Sequence, residues 1–69
     1  MYKLSRLVSA SMSIRRADLG THPTVGAALD AIGHPIVFCE EDADHPDHFD
    51  AFAADGMTYA VAPVGSKFA

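Results

Sequence analysis

Alternating apolar and polar residues at the start of the chain predict a β-strand. Over residues 2–14 the apolar residues fall mainly on even positions, whereas serine and basic residues fall mainly on odd positions. A period of two over this length is typical of a half-buried strand, with a bend near Arg6-Leu7, where the pattern is out of phase. Several of the same residues also fit a helix over 4–15. The strand is favoured because the four serines of this segment are poor helix formers.

The next segment predicts a turn and then the one helix of the chain. Residues 17–20 have the composition of a turn. A helix over about 23–32 follows, because Thr21 or Thr24 can cap the free amides, Pro23 suits the first turn, and an apolar stripe comes next. Gly33 and Pro35 end the helix. The stripe consists of Val25, Ala28, Leu29 and Ile32.

A short apolar run predicts the next strand. Residues 36–39 are Ile-Val-Phe-Cys, and a continuous apolar run of this length is typical of a central strand. Cys39 at its end is expected to be a buried structural thiol. Its ability to act as a nucleophile is expected to be poor, because nearby carboxylates raise the pKa of a thiol.

A hairpin is predicted in the last third of the chain. Residues 49–54 and 57–64 are rich in apolar side chains and flank Asp55-Gly56, which is the strongest short-range hairpin signal. A two-residue turn would place Phe52 opposite Tyr59, an aromatic contact that stabilises paired strands.

The predicted fold class is α+β, with one short helix packed on a small, mostly antiparallel sheet in the order β-α-β-β-β. The 69 residues fit a single small domain, with 65–69 as a tail in which Phe68 could be a contact residue. One helix covers one face of a sheet, so the second face must meet another chain or stay exposed. A homodimer is therefore expected under any function. No apolar run approaches the roughly 18 residues of a membrane helix, so no membrane contact is expected.

Charge is distributed very unevenly along the chain. Four of the five basic residues lie within the first 16 positions, and the nine acids all lie between residues 17 and 66, where there is no Lys or Arg. A protein that binds nucleic acid directly needs a basic patch to neutralise phosphates, and the densest charge here has the opposite sign. The candidate partner-binding residues are the six acids that fall within 11 positions: Glu40, Glu41, Asp42, Asp44, Asp47 and Asp50.

The same segment offers an alternative in metal chemistry. Thiolate, carboxylate and imidazole are all competent zinc ligands, and a small metal-binding module would use Cys39, Asp44, His45 and His48. The spacing fits no usual zinc finger, and Pro46 interrupts the calcium-loop pattern that begins at Asp42. Neither a metal nor another cofactor is therefore predicted. No phosphate-binding loop or nucleophile–base pair is present, so the protein is predicted not to be an enzyme.

In size and charge layout the whole chain resembles the anti-CRISPR class and other small inhibitors encoded by phages. The resemblance involves no motif, so no residue roles are transferred from it. It implies a stoichiometric inhibitor located in the cytoplasm of a bacterial host, whose carboxylates act as a DNA mimic by matching the field of a phosphate-binding groove. The lone Cys39 agrees with a reducing compartment. A further alternative, which requires no specific binding function, is a structural homodimer that accompanies a larger operon product.

Overall fold

A computed structural model of the chain describes residues 1–10 and 12–66. It contains five strands and one short helix: β1 (Tyr2–Ala10), β2 (Ser13–His22), α1 (Val25–Asp30), β3 (Ile36–Glu41), β4 (Phe49–Ala53) and β5 (Thr58–Pro63). The strands form one antiparallel sheet in the order β2-β1-β5-β4-β3. The α+β class is confirmed, and the β-α-β-β-β order fits from β2 onward, with β1 preceding it. Phe68 and the rest of the predicted tail beyond residue 66 lie outside the described residues.

The segment predicted as a single strand forms the hairpin of β1 and β2. Ala10 pairs with Ser13, and the pairing runs back along both strands to Tyr2 and His22. The helical alternative over 4–15 is therefore wrong, and so is the turn predicted at 17–20. Those residues lie inside β2 beside a break in register, where Asp18 Oδ1 accepts a hydrogen bond from the Gly20 amide at 2.8 Å. A turn composition here produces a bulge within the strand rather than a reversal of the chain.

Thr24, one of the two predicted capping threonines, begins the helix, so the placement of Pro23 in its first turn is wrong and the helix is shorter than the predicted 23–32. Thr24 is the N-cap, and its hydroxyl accepts a hydrogen bond from the Ala27 amide at 3.0 Å. The helix proper ends at Asp30, and a turn carries the chain to Gly33, whose φ of +78° reverses it. A helix this short depends on packing for its stability. It packs on β1, β2 and β5, and the buried core comprises Leu4, Ala28, Ile32, Ala51, Ala53, Tyr59 and Val61.

The register of β4 and β5 differs by one residue from the predicted one. Phe52 lies opposite Thr58, and Ala51 lies opposite Tyr59, so the predicted Phe52–Tyr59 pair is wrong. The loop has three residues rather than two, because the Ala53 amide bonds to the Met57 carbonyl and a left-handed glycine follows the turn. A shift of one residue exchanges the faces of a strand. Tyr59 is consequently buried, whereas Phe52 points to the opposite face of the sheet and is 38% exposed.

Strand β3 lies at the edge of the sheet, and the central position predicted for it is wrong. Among the residues that the structure describes, it pairs only with β4, and β5 lies at the centre of the sheet. Cys39 is exposed, so its assignment as a buried thiol is wrong as well. A continuous apolar run does not distinguish a central strand from an edge strand, because that depends on where later strands join the sheet.

Side chains on the face opposite α1, here called the open face, form rows across all five strands. Alternation places them opposite the buried Leu4, Ala51 and Val61. The first row is Phe38, Phe52, Thr58, Leu7 and Arg16. The second row is Glu40, Asp50, Ala60, Ser5 and Asp18. In the described part of the chain, no helix is both long and apolar enough to cross a bilayer.

Candidate protein-binding site

The six candidate acids lie together where β3 passes into β4, and residues 40–50 are here called the acidic segment. Glu40 and Glu41 end β3, and Asp50 lies in β4. The connection between the strands carries Asp42, Asp44 and Asp47. A hydrogen bond of 2.8 Å from the Asp42 amide to the His48 carbonyl closes its base. The structure therefore gathers at one end of the sheet the residues that the sequence placed in one segment.

Asp42 holds the shape of this connection. Its Oδ1 accepts a hydrogen bond from the Asp44 amide at 2.9 Å, and its Oδ2 lies 3.2 Å from Nδ1 of His45. The bond from the Asp44 amide, followed by the contact with His45, lowers the pKa of the Asp42 carboxyl. Asp42 is thus charged at neutral pH and serves the local fold as well as the surface potential.

A second carboxylate fixes the far side of the connection. Glu41 Oε2 accepts a hydrogen bond from the Asp47 amide at 2.9 Å. Asp47 has a φ of +66°, a left-handed conformation that Asp and Asn tolerate better than most residues. In the described residues, no side-chain hydrogen bond or ion pair is found for Asp44 or Asp47. These two carboxylates are therefore held on a shaped loop and remain available to a partner.

Two further acids face each other on the open face. Glu40 lies directly opposite Asp50 across β3 and β4. Like charges in this arrangement destabilise a strand pair, so a cation brought to this position would be stabilising. Partial burial, followed by the charges of Asp50 and Glu40, raises the pKa of the Cys39 thiol. The thiol is therefore protonated at neutral pH and a poor nucleophile.

A cavity of about 190 Å³ opens beside these acids. It is lined by charged side chains of both signs together with apolar, mostly small ones. The lining residues are Arg16, Asp42, His48, Phe49, Asp50, Ala60, Val61 and Ala62. This volume is below the roughly 300 Å³ at which small-molecule sites begin, so the cavity suits one side chain of a partner better than a substrate. Arg16 could not be predicted to reach the acidic segment, since the two are distant along the chain.

The structure does not bring the four residues of the alternative metal site together as one set of ligands. Cys39 lies opposite Ala51, on the side of β3 facing away from the open face. His45 Nδ1 contacts Asp42, while His48 has Nδ1 2.9 Å from the Pro46 carbonyl and Nε2 2.7 Å from the Ser66 hydroxyl. Among the described residues, no group of three or more His, Cys, Asp or Glu side chains could hold a metal ion.

A polar cluster at the β4–β5 turn was not anticipated from the sequence. The Tyr59 hydroxyl donates to Asp55 Oδ2 at 2.7 Å, and His34 Nε2 lies 3.7 Å from the same oxygen. The hydrogen bond to Asp55, together with burial, raises the pKa of Tyr59. The deprotonated phenolate form of Tyr59 is therefore disfavoured. The cluster instead anchors the turn. A tyrosine four residues after the turn aspartate was the available signal, but the predicted register placed that tyrosine on the same face as Phe52.

No family model, curated protein or solved structure matches the chain. The functional argument therefore depends on the geometry and charge of the acidic segment.

Proposed function

We propose that this chain is a non-enzymatic binding protein or inhibitor whose acidic segment engages a basic partner. The main support is that some of its carboxylates hold the loop in shape and others remain exposed on it. Asp42 and Glu41 accept backbone hydrogen bonds that hold the loop, whereas Asp44 and Asp47 project from it without partners in the described residues. Because the scaffold is ordered before binding, little conformational freedom would be lost on contact with a partner.

The charge of the segment indicates the kind of partner. Six carboxylates within 11 residues create a negative field that attracts a surface rich in Lys and Arg. Such surfaces occur chiefly on proteins that handle nucleic acid, where they contact phosphates. A rigid carboxylate array that occupies such a groove would exclude nucleic acid by competition. This mode of action agrees with the resemblance to small phage-encoded inhibitors and with a location in a bacterial cytoplasm.

Matched charge variants test the proposal by affinity capture from bacterial lysate with quantitative mass spectrometry. The variant Asp44→Asn/Asp47→Asn removes two charges from the acidic segment and leaves the Asp42 and Glu41 hydrogen bonds in place. The variant Asp18→Asn/Asp30→Asn removes two charges elsewhere, so both variants have the same net charge.

We expect nucleic-acid-handling proteins to be enriched on the wild type and on Asp18→Asn/Asp30→Asn, and to be lost from Asp44→Asn/Asp47→Asn. Equal enrichment on all three baits, or enrichment of no such protein on the wild type, would contradict the proposal.

A further inference from the structure

Two exposed aromatic side chains lie side by side on the open face. Phe38 and Phe52 are directly opposite each other across β3 and β4, and their rings stack with centroids 5.9 Å apart. The two residues remain 53% and 38% exposed. A stacked pair occupies one face of each ring, and Phe38 belongs to the edge strand of the sheet in the described residues. The second face of the Phe38 ring is therefore accessible at the edge of the sheet.

A pair of carboxylates lies next to these rings on the same two strands. Glu40 follows Phe38 by two residues on β3, and Asp50 precedes Phe52 by two residues on β4, so all four side chains point to the open face. The two rows are about 7 Å apart, which is within the reach of one long side chain. The described residues show no side-chain hydrogen bond or ion pair for Glu40 or Asp50. These four residues are here called the aromatic–acid quartet.

The chemistry of the quartet suits an arginine side chain better than other occupants. A guanidinium is planar, permanently charged and weakly hydrated, so it stacks on an aromatic face and directs its N–H donors in a fixed fork to a carboxylate. A lysine ammonium is a strongly hydrated point charge and gains less from the ring. A nucleotide base stacks on aromatic rings as well, but the two carboxylates repel its phosphate.

We infer that the aromatic–acid quartet is the site that receives an arginine side chain of the basic partner. The guanidinium lies on the accessible face of the Phe38 ring and donates hydrogen bonds to Glu40, while Asp50 adds its charge from the opposite strand. The contact relieves the repulsion between the two carboxylates, which face each other across β3 and β4. Arginine and aromatic side chains are also the residues that dominate the binding energy of protein interfaces.

Titration of the full chain with small arginine and lysine probes tests the quartet without the partner, for which the inference rests on the proposed function. N-acetylarginine amide and N-acetyllysine amide carry the same charge, and NMR follows the ring protons of Phe38 and Phe52. We expect arginine to shift these resonances in a saturable way with a dissociation constant in the millimolar range, because one exposed ring contact and one exposed ion pair each contribute little. The lysine probe should bind at least about threefold more weakly.

Variants of the chain separate the contribution of the ring from that of the charge. Phe38→Leu keeps an apolar side chain without the ring, whereas Phe38→Tyr keeps the ring. We expect Phe38→Tyr to bind the arginine probe as the wild type does, and Phe38→Leu and Glu40→Gln to bind it at least about threefold more weakly. Asp30→Asn removes the same charge as Glu40→Gln from α1 and should leave the affinity unchanged. Should Phe38→Leu lose the native circular dichroism spectrum, the comparison of Glu40→Gln with Asp30→Asn decides.

Three results would overturn the inference: equal affinity for the arginine and lysine probes, equal affinity of the wild type and Glu40→Gln for arginine, or a larger ring shift with adenosine monophosphate than with arginine. The proposed function would then stand or fall on the capture experiment alone, with its point of contact elsewhere in the acidic segment. Conversely, arginine binding at the quartet without capture of a nucleic-acid-handling protein would retain the site and reject the proposed class of partner.

Discussion

The hydroxyl of Tyr59 donates a hydrogen bond of 2.7 Å to Oδ2 of Asp55. Oδ1 of the same carboxylate accepts the Met57 amide at 2.9 Å. A single side chain thereby joins the β4–β5 turn to a tyrosine that is only 4% exposed in the core. The contact secures the register that directs Tyr59 inward and Phe52 outward, and that register creates the open face.

The Asp55 contact predicts a pH dependence of stability. The hydrogen bond from Tyr59, then that from Met57, lowers the pKa of Asp55 below its ordinary value of 3.8 in the folded chain. The unfolded chain therefore binds this proton first as the pH falls. The stabilisation is present above the ordinary pKa and is lost as the pH falls through the folded-state pKa.

Thermal unfolding of wild type and Asp55→Asn measures this contribution. We expect the wild type to melt at the higher temperature near about pH 6, and the difference to shrink steadily towards about pH 2. Tyr59→Phe removes the hydrogen-bond donor to Asp55. Its melting temperature should therefore fall less than that of the wild type as the pH is lowered. A melting difference between wild type and Asp55→Asn that stays constant with pH would contradict the assignment.

Two glycines should respond to alanine substitution in opposite directions. Gly56 has a φ of +82° with no atom within 4 Å of an added Cβ, so Gly56→Ala introduces backbone strain without a clash. We expect it to lower the free energy of unfolding by about 1–2 kcal/mol. Gly26 lies in α1, where an added Cβ would make an ordinary contact of 3.9 Å with Thr24 Oγ1. Gly26→Ala should raise the free energy of unfolding by about 0.5–1 kcal/mol.

Urea unfolding monitored by circular dichroism measures both glycine variants. Equal effects of the two substitutions would show that the three-residue turn is not the conformation in solution.

The charges around Cys39 predict its reactivity. Partial burial, followed by the carboxylates of Asp50 and Glu40, raises the pKa of the Cys39 thiol above its ordinary value of 9.0. The rate of alkylation by iodoacetamide, followed by mass spectrometry, should therefore have its pH midpoint above 9.0. Asp50→Asn should lower that midpoint. The control Asp18→Asn removes an equal charge from β2, at the other side of the sheet, and should leave the pH midpoint unchanged. A similar shift of the midpoint in both variants would contradict a local effect of Asp50.

The sequence predicted those features that depend on neighbouring residues. Thr24 capped the helix as a threonine should, and the apolar stripe around Ala28 packed on the sheet. The features that failed depend on distant pairing. The Asp18-Leu19-Gly20 signal was assigned to a turn because nothing local distinguishes a turn from a bulge. Similarly, Asp55-Gly56 fits loops of two or three residues, and one extra residue moved Phe52 to the other face.

The composition of the candidate site could be predicted, but its internal organisation could not. The six carboxylates were visible in the sequence as a charge cluster. Which of them would hold the loop depends on backbone amides that only the folded chain brings near, as with Glu41 and the Asp47 amide. Substituting Asp42 would therefore disturb the loop as well as its charge, and Asp44 and Asp47 are the better probes of partner binding.

The measurement that tests the central claim most directly is the association rate of the captured partner as a function of salt concentration. Electrostatic steering acts over the Debye length, which shrinks from about 10 Å at 0.1 M to about 3 Å at 1 M salt. Stopped-flow or surface-based kinetics would compare the wild type with Asp44→Asn/Asp47→Asn and Asp18→Asn/Asp30→Asn. If the acidic segment steers binding, the first variant associates more slowly at low salt and shows a shallower salt dependence. The second variant should follow the wild type closely, and three indistinguishable salt dependences would contradict the claim.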